Sequence, residues 1–148
     1  MNKKKLIAII SMIVAVAIIY FGIRFFLTKP ETGNKTIYIT LIDQTADEDN
    51  TLIDNKAFKT DALTFYEFLD EEKKELKIIF GDSGFGHTVD EIYGLAGDMS
   101  SANGPWILYE SPNNKSCVAN GYCLGVDELA IFDDDSFIFK FTSEMMFE

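Results

Sequence analysis

Hydrophobic residues are distributed in two different ways along this chain. From Leu6 to Leu27 they form one run of 22 residues in which only Ser11, Gly22 and Arg24 break the apolar character. Beyond it, apolar positions become periodic and alternate with polar ones. As a helix the first run would be about 33 Å long, enough for a hydrocarbon core of about 30 Å. Lys3, Lys4 and Lys5 in front of it favour a cytoplasmic N-terminus, which places everything after Leu27 outside the cell. Arg24 lies near the outer end, where its stem can snorkel to the headgroups. The rival reading is a cleaved signal peptide, since Ala15-Val16-Ala17 has the small-x-small form. Its apolar core would then be short, and the chain stays apolar past the cleavage point, so an uncleaved signal anchor is expected. The expected organisation is an anchor over 1–28, a polar linker over 29–35 containing Pro30 and Gly33, and an extracellular domain over 36–148.

Period-two alternation of Ile37, Ile39 and Leu41 predicts a strand over Thr36–Asp43. Gln44 to Asn55 reads as an acidic loop or a loose hairpin tip. Thr60 or Asp61 can cap a helix reaching about Glu75, with Ala62, Phe65, Tyr66, Leu69 and Leu76 at helical spacing. Leu76–Phe80 predicts a second strand, and shorter ones are expected at His87–Tyr93, Pro105–Glu110 and Leu129–Phe132. Ser136–Thr142 closes the series, with Phe137, Phe139 and Phe141 on one face. One helix against a small, mostly antiparallel sheet is an α+β layout.

Charge divides the chain at the same place. Residues 1–28 hold four basic side chains and no acidic one, while residues 29–148 hold all 24 carboxylates against nine lysines, a net charge of about −15. Nucleic acid is therefore not an expected partner, because phosphate binding needs clustered Lys and Arg.

The pattern resembles the transcobalamin-like C-terminal domain family, a bacterial surface domain of unknown function. That family is related to the C-terminal domain of the vitamin B12 carriers transcobalamin and intrinsic factor. The matching pieces are TIYITLID, KTDALTFYEFLDEE, the Gly-aromatic turn and strand GFGHTVDEIYGLAG, the tryptophan strand GPWILYESPNN, and Gly125 before the last hairpin in LGVDELAIFDDDSFIFKF. The likeness covers Thr36 to Thr142. It implies a β-grasp-like fold and a corrinoid, cobalamin-like ligand captured for an uptake system. Two departures stand out. Asp133-Asp134-Asp135 replaces the family's Asp-Gly-Asp, and the carriers' large helical domain, the other half of their corrinoid clamp, has no counterpart here. An uptake-system protein would have to supply that half.

Candidate sites follow from the residues and from this resemblance. Phe85, His87, Tyr93, Trp106 and Tyr109 sit on or beside glycine-framed loops and could form an apolar platform for a flat ligand. The competing reading buries Trp106 over the helix; alternation puts Trp106 and Leu108 on one face of their strand, Ile107 and Tyr109 on the other. Gly81-Asp82-Ser83-Gly84 copies the tetrad around a trypsin-type nucleophile. A hydrolase also needs a base and a group to orient it, and the only histidine is His87, so no catalytic residue is assigned. Cys117 and Cys123 flank Asn120-Gly121 and could close a hairpin as a disulfide worth roughly 2.4 kcal/mol, with free thiols as the alternative. Zinc would need more ligands than these provide. Asp47-Glu48-Asp49 and Asp133-Asp134-Asp135 read as solvated turns rather than Ca²⁺ loops, so no metal site is assigned. A membrane-anchored binding module, with a small-molecule ligand or a protein partner, is the expected function.

Overall fold

The computed structural model describes residues 2–27 and 33–144, with side chains of the first helix described as far as Gly22. It divides into two compact units, residues 1–31 and 32–148. The first is the helix α1 (Lys3–Leu27). It is long and apolar enough to cross a membrane: an 18-residue window within Lys3–Gly22 has a mean hydropathy of 2.4, and none of that window is buried. The expected placing of the Arg24 side chain, and most of the expected linker, lie outside the described residues.

The second unit is α+β. Strands β1 (Lys35–Asp43), β2 (Asn50–Thr60), β6 (Trp106–Glu110) and β7 (Ser136–Thr142) form one sheet in the order β2-β1-β7-β6. Its central pair, β1 and β7, is parallel, and the outer pairs are antiparallel. Strands β3 (Ile79–Asp82), β4 (His87–Ile92) and β5 (Leu95–Ala96) form a second, antiparallel sheet. The helix α2 (Phe65–Glu71) and a short helix α3 (Lys115–Asn120) complete the unit. This is the expected α+β class; the large sheet is mixed at its central pair, the meander β3-β4-β5 is a separate sheet, and α3 is an added element.

Alternation in β1 and β7 builds the floor of the core. Ile37, Ile39 and Leu41 are fully buried, as are Phe137 and Phe139. Phe65 of α2 stacks on Phe137 at 4.1 Å between ring centroids. Tyr66, next along the helix, meets Phe80 of β3 at 5.0 Å, so α2 touches both sheets.

Several expected boundaries are corrected. The segment read as an acidic loop becomes strand from Asn50 onward, because β2 pairs with β1 from Asp43↔Asn50 to Lys35↔Thr60. The helix starts later than Thr60 or Asp61, since Thr60 ends β2 and its hydroxyl donates to Glu71 at 2.5 Å. Thr64 is the true cap: it accepts from Glu67 N while Glu67 Oε2 accepts from Thr64 N, a capping box. The helix ends at Glu71, well before Glu75. Phe68, fully buried, belongs to its inner face although the helical spacing did not single it out. The strand expected at Leu76–Phe80 begins only at Ile79, after Lys77 turns at φ +50°. Leu129–Phe132 is no strand; it makes a single bridge, Thr64↔Ala130.

The cysteines close no hairpin. Cys117 lies inside α3 and is joined to Cys123 across the helix end, where Gly121 takes the left-handed conformation at φ +75°. The Asp133–Asp135 run is a turn built into the fold. Asp133 accepts from Thr36 N at 2.7 Å, Asp134 sits at φ +66°, and Asp135 is buried, accepting from Phe132 N at 2.9 Å.

Candidate functional site

The hairpin joining β3 to β4 displays the most exposed large hydrophobic side chain among the described residues. Asp82 Oδ1 accepts from Gly84 N at 2.8 Å, and Ser83 Oγ accepts from Phe85 N while donating to the Gly86 carbonyl. Ser83 N donates to the same carbonyl at 3.1 Å. Gly84 and Gly86 take φ +79° and +126°, values that L side chains rarely adopt. At Gly86 a Cβ would also lie 2.6 Å from an Asp127 carboxylate oxygen. These bonds fix the loop, and Phe85 stands at its tip 97% exposed. Burying a phenyl ring is worth about 2 kcal/mol, so leaving one in water at a braced tip forgoes a stabilisation available elsewhere.

His87 anchors the base of this hairpin. Its ring stacks on Tyr66 at 4.0 Å and meets Phe80 edge-on at 6.1 Å. Both oxygens of Asp127 grip it, one from the backbone N at 2.6 Å and one from Nδ1 at 2.8 Å. The hydrogen bond from the His87 side chain, then that from its backbone, holds the Asp127 carboxyl below its ordinary pKa. An ionised carboxylate can only accept, so Nδ1 carries the proton, in either charge state of the ring. The Ser83 hydroxyl donates to Gly86 and not to this histidine.

The other expected site residues lie elsewhere. Tyr93 follows β4 at the end opposite His87, roughly 20 Å away at strand rise. It sits at φ +55°, with Lys77 Nζ 4.8 Å from its ring centre. Trp106 is buried, but alternation places it on the sheet face away from α2. It is Tyr109 that packs towards the helix, 5.3 Å from Phe65 and 5.7 Å from Phe139. The five residues therefore do not make one platform: Phe85 and His87 share the hairpin, and the other three are distributed over the fold. Sequence reasoning missed Tyr66 and Asp127, the two residues that position His87. It also missed a groove of about 590 Å³ between the β6–β7 end of the large sheet and the α3–disulfide loop.

The Tyr109 hydroxyl donates to the Leu124 carbonyl at 2.6 Å. Burial, with a smaller contribution from the Asp127 charge, pushes its pKa up to about 12. The folded state thus holds this proton more tightly than the unfolded chain, where tyrosine titrates near 10. Its contribution is complete below about pH 10 and is lost as pH rises towards 12, up to about 2 kcal/mol. Chemical denaturation at stepped pH is expected to show that decline in the wild type and a flatter curve in Tyr109→Phe. Equal slopes in the two proteins would refute the assignment.

Among the described residues, no three His, Cys, Asp or Glu side chains converge to hold a metal ion.

The fold and the hairpin define a small mixed-sheet α+β domain that carries a loop-borne aromatic display. No family model matches the chain, and no curated protein matches it. Among solved structures it is similar to a protein of Ruminococcus gnavus ATCC 29149 described as a "putative metal binding protein". The TM-score is 0.53 at 19% identity, with 76% of this chain and all of that one covered. At that identity the likeness concerns the fold alone.

Proposed function

We infer that this chain is a membrane-tethered binding module whose contact surface is the β3–β4 hairpin, presenting its folded domain outside the cell to capture a ligand for uptake. The observation that carries this reading is Phe85, 97% exposed on a loop held by its own hydrogen bonds and by the His87–Asp127 clamp. A preorganised aromatic ring loses little conformational freedom on binding, which is what a recognition residue requires. The resemblance to the transcobalamin-like C-terminal domain supports a flat, largely apolar macrocycle of the corrinoid class as the ligand. A hairpin tip covers only one side of such a molecule, so the opposite wall belongs to a second protein of the uptake system. A metal-binding role like the one ascribed to the Ruminococcus protein has less support, because His87 Nδ1 is already engaged by Asp127.

The convexity of the tip favours a second reading, a protein–protein adaptor in which Phe85 enters a partner's pocket without any small ligand. Titration of the full chain in detergent micelles with cobalamin and cobinamide separates the two. The corrinoid's own absorption is the readout, because Trp106 is buried. Saturable binding weakened about tenfold by Phe85→Ala, with an unchanged thermal melt, is the expected result. No binding at about 100 μM, or binding indifferent to Phe85, would remove the corrinoid reading and leave the adaptor.

A further inference from the structure

We propose that a cleft between β2 and the turn after β4 is a second binding site, for a free α-amino acid with an apolar side chain. It lies at the end of β4 away from the Phe85 hairpin and does not depend on that hairpin's ligand. The cleft encloses about 340 Å³, at the lower end of the range of about 300–1,000 Å³ that small-molecule pockets occupy. Three segments wall it: β2, the turn after α2 and the turn after β4. Ile53 and Leu76, both buried, give it an apolar lining. Asp54, Lys56, Glu75 and Tyr93 give it polar groups.

Two residues beside this cleft occupy backbone positions that favour smaller ones. Tyr93-Gly94 is the two-residue connection between the paired Ile92 and Leu95, with φ of +55° and +85°. A turn of that shape prefers Asn, Asp or Gly at its first position. Lys77, at φ +50°, ends the turn after α2, a place usually given to Gly or Asn. Tyr93 N donates to the Leu76 carbonyl at 2.9 Å, which joins the two turns. The Lys77 ammonium lies 4.8 Å from the centre of the Tyr93 ring. Both residues cost the fold stability that glycine would retain. Tyr93 stays exposed, so core packing does not repay that cost. Strain kept at two touching side chains beside a cleft points to recognition.

The charges at the cleft define the ligand. Lys56 Nζ donates to Glu75 Oε1, so these two satisfy each other. Among the described residues, the Asp54 carboxylate has no ion-pair partner, and no carboxylate pairs with Lys77. One uncommitted carboxylate and one uncommitted ammonium therefore flank an apolar lining. Their complement is a molecule with an ammonium for Asp54, a carboxylate for Lys77 and a short apolar side chain for Ile53 and Leu76. A simple cation or anion would satisfy only one of the two charges and leave the lining empty.

Nuclear magnetic resonance of the full chain in detergent micelles tests this, with L-leucine as the probe. The amides of Ile53, Leu76 and Tyr93 are expected to shift saturably, with a midpoint below about 1 mM. Two analogues each lack one charge: 3-methylbutylamine has no carboxylate, and 4-methylpentanoate has no ammonium. Each should bind at least about tenfold more weakly than leucine. Asp54→Asn should cost leucine a similar factor. Tyr93→Asn suits the turn, so it should leave the thermal melt within about 3 °C of wild type or raise it, while weakening leucine at least about tenfold. No saturable shift up to about 10 mM leucine would overturn the proposal. Equal binding of leucine and either analogue would do the same, since recognition would then not need both charges. Undiminished binding by Tyr93→Asn, or a melt lowered by more than about 8 °C, would assign the tyrosine to the fold and equally reject the site.

Discussion

Replacing Asn114 by alanine is expected to destabilise the folded domain by about 3 kcal/mol, a fall of roughly 12 °C in Tm for a domain of this size. Asn114 is fully buried and uses both ends of its amide. Its Oδ1 caps α3, accepting from Ser116 N at 3.0 Å and Cys117 N at 3.2 Å. Its Nδ2 donates to the Ala130 carbonyl at 2.9 Å and to Asp135 Oδ2 at 2.6 Å. Loss of the cap costs about 1 kcal/mol, and the buried carboxylate left short of a donor costs about 2 more. The neighbours make the loss cooperative. Asn113 bridges the Asp134 carbonyl and Ser136 N, and Ser111 Oγ donates to the Ser136 carbonyl, so this segment fastens the aspartate turn to the start of β7. Asn114→Ser, which retains a capping oxygen but loses the reach to Asp135, should recover about 1 kcal/mol. Urea melts followed by circular dichroism measure both variants. A loss below about 1 kcal/mol in the alanine variant would mean that the amide is not structural.

The same cluster shows where sequence and structure part. Strands β1 and β7 were legible because their inward residues keep period two for their whole length. Strand β2 was not, because its inward residues Ile53 and Phe58 are an odd number of positions apart. Asn55, at φ +44° between them, and the register shifts against β1 change the phase within the strand. The start of α2 was readable in principle: Thr64 and Glu67 have capping-box spacing, but Thr60-Asp61 offered a nearer cap and won. Likewise Asn114 and Gly121 bracket α3 with an N-cap and a left-handed C-cap, signals overshadowed by reading the cysteines as a hairpin. At the site, the glycines around Phe85 announce a turn whatever its tertiary setting. Asp127 lies 40 residues from His87, and nothing local marks it as the histidine's partner. The place of β6 at the end of the large sheet is a property of strand order, which no window of sequence contains.

Phe65→Ala should have the largest effect of any single truncation here, about 4 kcal/mol, because the site cannot collapse. The ring is fully buried, stacked 4.1 Å from Phe137, with Tyr109, Phe139 and Phe68 at 5.3, 5.9 and 6.1 Å. Its backbone is pinned too, since Phe65 N donates to the Leu129 carbonyl at 2.8 Å, so α2 cannot slide to fill the void. Phe65→Leu keeps most of the volume and should lose only about 1 kcal/mol. Because Tyr109 leans on Phe65, both variants should let water reach its hydroxyl. The tyrosine's pKa would then move from about 12 back towards 10, even where the global loss is small. Spectrophotometric titration of tyrosine and urea melts read these two effects independently. Phe85→Ala removes the same atoms from a ring that is 97% exposed and should leave stability within about 0.5 kcal/mol of wild type. A large loss from Phe85→Ala, or less than about 2 kcal/mol from Phe65→Ala, would contradict this division of roles. Phenylalanine in the core serves the fold, and phenylalanine at the hairpin tip serves whatever the domain binds.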